Sequence, residues 1–132
     1  MLGQRSVHTT LPAADLARAR AWYEGKLGFT PIAELPGGLM YEAAEGTRFV
    51  VYPSANAGQA PQTCMGFATD DIEGDVRDLK EKGVVFEEYD YPTLKTVGSI
   101  AETGPVRSAW FRDSEGNILG LVQFPPGATP TR

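Results

Sequence analysis

The chain carries one order of elements twice, and that repetition limits the folds open to it. SVHTTL, residues 6–11, reads as a short strand. Asp15 then caps a helix whose apolar face is Leu16, Ala19, Tyr23 and Leu27, at spacings of 3, 4 and 4. Gly28 ends that helix. FTPIAEL, LMYEAA and RFVVYP follow as three candidate strands, joined through Pro36-Gly37-Gly38 and Glu45-Gly46, both turn chemistry. SANAGQAPQ, residues 54–62, is small, polar and without period, as a linker is.

The order then starts again. TCMGFAT is a strand, and Asp70 with Glu73 gives a capping-box-like Asp-x-x-Glu start. Ile72, Val76 and Leu79 form the apolar face of the second helix; Lys80 and Lys82 suit its negative end, and Gly83 stops it. VVFEEYDY is the next strand, TLKTVGSIAETG is ambiguous, and SAWFRDS and NILGLVQF close the series. Residues match between the halves: Asp15 with Asp71, Gly28 with Gly83, and Glu45-Gly46 with Glu115-Gly116. The expectation is an α+β fold of two βαβββ modules whose curved mixed sheets form a cleft. The single domain 1–132 divides into module one over 5–53, a linker over 54–62, module two over 63–125 and a frayed tail over 126–132. A sheet with a helix on one face needs its other face covered, by the repeat or by a second chain.

Charge and cysteine content narrow the function. Net charge is −5 with no basic cluster, which argues against a nucleic-acid partner. No apolar run is long enough to span a bilayer, and MLGQRSVHTT lacks the apolar core of a signal peptide, so no membrane partner is expected. The one cysteine, Cys64, has no internal partner, and a reducing cytoplasm is the plain expectation.

VHTTLPAADLARARAWYEGKLGF, a strand and helix ending in Leu-Gly-Phe, and AWFRDSEGNILGLVQ, a closing hairpin with Ser114 where proline is common, carry a resemblance. The chain resembles the vicinal oxygen chelate superfamily, which includes glyoxalase I, bleomycin-resistance proteins, fosfomycin-resistance enzymes and extradiol dioxygenases. It is most similar to the metal-free bleomycin-resistance-like binding proteins. The resemblance implies the glyoxalase/bleomycin-resistance fold; it leaves function open, because such folds host isomerases, dioxygenases, transferases and binding proteins alike.

In the metal enzymes of that superfamily, ligands stand on the first and last strand of each module. Carried onto this chain, the positions are His8, seven residues before Asp15; Cys64, the same offset before Asp71; Gly120, four after Gly116; and Val50, four after Gly46, or Val51 if the register slips by one. A divalent ion needs several imidazole or carboxylate ligands. One histidine and one thiol fall short, so no metal and no cofactor are expected. Gly120, a glycine in mid-strand, then stands where a relative carries glutamate, and leaves room.

Two functions follow. The first is a metal-independent small-molecule binding protein that sequesters an aromatic or glycosylated natural product, as antibiotic-resistance proteins of the superfamily do. Its expected ligand-binding residues are His8, Val50, Tyr52, Cys64, Gly66, Tyr91, Lys95, Trp110 and Gly120, with the aromatics available for stacking. The alternative is a glyoxalase- or dioxygenase-like lyase or isomerase with His8 as acid–base group or metal ligand, since only imidazole has an ordinary pKa near neutrality. A homodimer is expected, because an open pair of curved sheets leaves apolar surface and strand edges bare.

Overall fold

A computed structural model describes residues 1–127. Two units emerge: Met1–Gln59 together with Asp113–Asn117, and Ala60–Arg112 together with the chain from Ile118 onward. The fold is α+β with two sheets: the first unit is βαβββ, and the second keeps the strand–helix start but has five strands after its helix.

In the first unit the strands are β1 (Thr9–Ala13), β2 (Ala33–Leu35), β3 (Gly38–Glu42) and β4 (Arg48–Pro53), with helix α1 (Leu16–Trp22) after β1. Their order across the sheet is β1-β4-β3-β2, β1 running parallel to β4 and the other pairs antiparallel. The Asp15 carboxylate accepts the Arg18 N–H at 3.0 Å and so caps α1. The helix runs on into a π turn, Tyr23–Leu27, and stops at Gly28, which is left-handed at φ 78°. Leu11, Ala19, Tyr23, Tyr41, Phe49 and Val51 are buried. Tyr41 stacks on Phe49 at 4.9 Å, and the Tyr23 ring lies 5.7 and 5.8 Å from those two.

The turn Asp113–Asn117 belongs to this unit through side-chain bonds. Tyr23 donates its hydroxyl to Asp113 Oδ2 at 2.7 Å, and Asn117 Nδ2 donates to the Pro12 carbonyl at 2.9 Å. The Glu115 carboxylate accepts the Asp15 backbone N–H at 2.9 Å and the Arg18 guanidinium at 2.8 and 2.9 Å. Hydrogen bonding to Arg18 outweighs the desolvation of Glu115 and holds its pKa down at about 2.

The second unit contains β5 (Thr63–Ala68), α2 (Ile72–Glu81), β6 (Asp90–Tyr91), β7 (Leu94–Val97), β8 (Ile100–Thr103), β9 (Val106–Arg112) and β10 (Ile118–Gln123). The sheet order is β5-β10-β9-β8-β7-β6, with β5 parallel to β10. Rows Met65–Leu119–Phe111 and Phe67–Leu121–Ala109 share the face that meets α2. The same parity puts Gln123 on that side, where its Oε1 accepts the Ile72 N–H at 2.9 Å.

Several expected boundaries move. The first strand starts at Thr9 rather than Ser6 and includes Pro12, which an edge strand tolerates, so His8 precedes the ladder. FTPIAEL shrinks to Ala33–Leu35, because Pro31 has no N–H to give. VVFEEYDY yields an isolated bridge from Phe86 to Phe111 and the two-residue β6. The ambiguous TLKTVGSIAETG is the hairpin of β7 and β8. Asp71, not Asp70, caps α2, accepting the Gly74 N–H at 3.1 Å. Residues 54–62 hold no strand or helix, only a turn in which Ser54 Oγ accepts the Asn56 N–H at 3.1 Å. Of the tail expected over 126–132, residues 128–132 lie outside the described residues. No helix among the described residues is long and apolar enough to cross a membrane.

Candidate functional site

Met65, Phe67, Leu119, Leu121 and Phe111 share the face that meets α2, and the opposite face mixes Gly66, Ala68, Ser108 and Gly120 with Trp110, Ile118 and Val122. Gly66 on β5, Gly120 on β10 and Trp110 on β9 are register partners and form one cross-strand row on that opposite face. Ala68 pairs with Val122 and Val122 with Ser108 in the next row. Within the Trp110 row Gly66 is exposed, whereas Gly120 is buried beside the Trp110 indole.

Gly120 has a near neighbour. A Cβ placed there would meet Thr63 Cγ2 at 3.4 Å and the Trp110 indole edge at 3.6 and 3.7 Å. The glycine therefore lets the indole lie close over the strand, and much of the room expected at this position is filled by Trp110. Thr63 reaches the same spot because the β5–β10 register shifts between Ile118 and Leu119, beside Cys64. Cys64 is half-buried, its Sγ 3.7 Å from the Gln62 carbonyl.

The aromatic wall extends beyond Trp110. Tyr89 meets the indole edge-on at 5.5 Å, and Tyr91 stacks on Tyr89 at 6.0 Å. The Trp110 carbonyl accepts the Glu87 N–H at 2.8 Å, which fixes the strand leading to Tyr89 beside β9. Trp110 is half-buried, whereas Tyr91 is 61% exposed, so the wall runs from packed to open. Desolvation, then the neighbouring Glu87, pushes the Tyr89 phenol above its ordinary pKa. It stays a neutral donor at pH 7.

Of the residues expected to bind ligand, Gly66, Gly120 and Trp110 come together, with Cys64 on the same strand as Gly66 and Tyr91 linked through Tyr89. Val50 and Tyr52 lie on β4 of the first unit, on the face away from Phe49 and Val51; Val50 has Thr10 and Met40 as register partners. His8 is exposed and precedes β1. Lys95 lines a groove on the α2 side of its sheet, away from the Trp110 row. Thr63 was not among the expected residues. Alternation from Trp110 does not reach Tyr89, which is placed by the isolated bridge at Phe86, and Thr63 turns inward only because of the register shift.

The residues at the four positions where metal enzymes hold their ion do not fit one. Val50 and Gly120 offer no donor, His8 is exposed, and among the described residues no three His, Cys, Asp or Glu side chains cluster to hold a metal.

The sequence matches the family model for the Glyoxalase/Bleomycin resistance protein/Dioxygenase superfamily over residues 5–121. The chain belongs to that superfamily. It matches no curated protein. Among solved structures it is similar to UcmS2, with a TM-score of 0.71 at 18% identity, covering 89% of this chain and 96% of that one. It is also similar to TnmS3, an antibiotic binding protein from Streptomyces sp. CB03234, with a TM-score of 0.61 at 23% identity, covering 92% and 98%. A putative glyoxalase family protein from Bacillus anthracis gives a TM-score of 0.68 at 16% identity, covering 95% and 100%. At these identities the likeness is one of fold.

Proposed function

We propose that this protein binds a small planar aromatic molecule, without a metal, on the Trp110 face of its second module. The observation that carries this reading is the Gly66–Gly120–Trp110 row. Gly66 leaves the sheet face bare beside the indole, Gly120 lets the indole lie close on the strand, and Tyr89 and Tyr91 extend the stacking wall. Stacking on an aromatic side chain is worth about 1–3 kcal/mol for a nucleic-acid base, and a planar natural product offers the same kind of surface. An antibiotic of aromatic or glycosylated type fits these features, and sequestration needs no catalytic group. A second copy of the chain covers the open face in this reading, completing a cleft that one sheet leaves shallow.

The test uses indole fluorescence. Trp22→Phe leaves Trp110 as the only tryptophan. A panel of planar aromatic natural products is expected to include one that quenches it saturably and raises the melting temperature, as a ligand of the folded state does. Trp110→Ala is expected to abolish that rise. A ligand that stabilises Trp110→Ala as well as the parent places binding elsewhere. Elemental analysis giving one transition metal per chain, lost in His8→Ala, would overturn the metal-free reading. Sedimentation showing a monomer at micromolar concentration would overturn the dimer.

A further inference from the structure

The α2 side of the second unit's sheet has its own concavity, and its chemistry differs from that of the Trp110 face. The helix covers β10 and β9, but β7 and β8 continue past it and leave a groove of about 900 Å³. This volume falls in the range of about 300–1,000 Å³ usual for small-molecule sites. Its apolar surface is Val76, Val97 and Ile100; Val97 is 74% exposed, with no side chain covering it. Four of the chain's 12 lysines and arginines line the groove, against three of its 17 acids. The groove is therefore net positive in a chain of net charge −5.

The pairing of those charges decides which are free. Arg107 is held by Glu73 at 3.1 Å and Glu102 at 3.7 Å. Arg77 leans on Asp78 at 3.7 Å. Lys80 has its ammonium over the Phe86 ring at 5.9 Å, and among the described residues neither Lys80 nor Lys95 has an ion-pair partner. Glu81 is the one acid of the lining without an ion pair among the described residues. Two ammonium groups without an ion pair among the described residues thus flank an apolar surface.

The wall that carries Val97 and Ile100 is held in place at a conformational cost. The hairpin turns through Gly98 and Ser99, at φ 59° and 72°. A serine in the left-handed region costs on the order of 1 kcal/mol, and such strain persists where the surroundings enforce it. Here Ser99 is fully buried and donates its hydroxyl to the Glu88 carboxylate, which also accepts the Thr96 hydroxyl at 2.8 Å. Glu88 thus ties both sides of the turn, so the wall is preformed rather than assembled on binding.

We infer that this groove is a second binding site, for a small amphiphilic carboxylate whose apolar body lies on Val97 and Ile100 and whose anion meets Lys80 and Lys95. It stands independently of the site proposed above. The test titrates the full-length protein with octanoate, octylamine and octanol while amide resonances are followed by NMR. Octanoate is expected to shift the amides of Val97, Gly98 and Ile100 saturably, octanol more weakly and octylamine not at all. Lys80→Glu with Lys95→Glu is expected to lower octanoate affinity roughly tenfold, equivalent to 1.4 kcal/mol. Val97→Ser should also weaken it, through lost apolar contact. Octanoate shifts confined to the amides of Gly66 and Gly120, equal binding of octylamine, or no saturable shift in the unmutated protein would each overturn the inference. So would binding of a polyglutamate peptide in the groove without octanoate binding, since that outcome marks a protein-docking surface.

Discussion

Two turns occupy the same place in the repeat and share the dipeptide Glu-Gly, yet they have opposite fates. Ala43–Thr47 closes with the Ala43 N–H donated to the Thr47 carbonyl at 2.7 Å; Asp113–Asn117 closes with the equivalent bond at 3.0 Å. The backbones correspond, and the side chains do not. Glu45 is exposed and sits at φ 61°, whereas the Glu115 side chain is fully buried against Arg18. Ala43 has no polar side chain, whereas Asp113 accepts from the Tyr23 hydroxyl, from Asn117 Nδ2 and from the backbone of Glu115 and Asn117. A repeat preserves the path of the chain. What each copy becomes depends on the partners that meet it.

The largest expected difference lies at the first residue of each turn. Asp113→Ala removes one acceptor from four donors, of which the Tyr23 hydroxyl and the Glu115 and Asn117 amides are buried. Leaving them unpaired should cost about 3–5 kcal/mol. Ala43→Asp in the other turn should change stability by less than about 0.5 kcal/mol, as surface substitutions do. Urea unfolding of both variants measures the contrast, and comparable losses would show that the two turns are equivalent after all.

The next comparison lies four residues beyond each turn glycine. Gly120→Glu drives a carboxylate into the indole and the Thr63 methyl, and should cost about 2–4 kcal/mol or force the carboxyl to take up a proton. Val50→Glu stands between Thr10 and Met40 on a half-buried face and should cost about 1 kcal/mol. Equal losses would mean that Trp110 does not lie over Gly120. Gly120→Ala adds a Cβ at ordinary contact distance and should be close to neutral.

What could be read from the sequence was local. The Asp15 cap, the glycine stops at 28 and 83, and the strand–helix start of each half follow from short-range chemistry, and the structure has them. Glu115 was legible only as a turn residue like Glu45, because its partners Arg18 and Asp15 are 97 and 100 residues away. The row of Gly66, Gly120 and Trp110 was legible as three residue types but not as a row, which is a property of register. His8 was read inside a strand over residues 6–11, whereas the ladder with β4 begins only at Thr9 and runs on through Pro12 at the sheet edge. Lys95 was grouped with Tyr91 because they are close in sequence, although strand alternation separates their faces.

Acid should distinguish the two turns as well. The Glu115 carboxyl titrates near 2 in the folded chain against an ordinary 4.5. A depressed folded pKa contributes stability that is fully present above 4.5 and lost as pH falls toward 2. Glu115→Gln keeps the shape and removes the titration. The parent should therefore lose about 1–3 kcal/mol more than this variant between those two pH values. Parallel curves for parent and Glu115→Gln would show that the pair with Arg18 is not held in solution.

The smallest effect carries the sharpest sign. Glu45→Gly and Glu115→Gly make the same change, Glu-Gly to Gly-Gly, at corresponding places. At Glu45 the residue is left-handed, and glycine relieves strain there on the order of 1 kcal/mol. Glycine also widens the unfolded ensemble, which offsets about 0.4–1 kcal/mol of that gain. The net should lie between zero and about 0.5 kcal/mol of added stability, read as a small rise in the urea midpoint at unchanged slope. At Glu115 there is no left-handed strain to relieve, because that residue is absent from the positive-φ set. The same substitution there strips Arg18 and the Asp15 amide of their acceptor and should lower the midpoint. Opposite signs from one substitution would confirm that the turns share a backbone but not an environment. A loss at both would mean that what the Glu45 side chain contributes outweighs the strain that glycine relieves there.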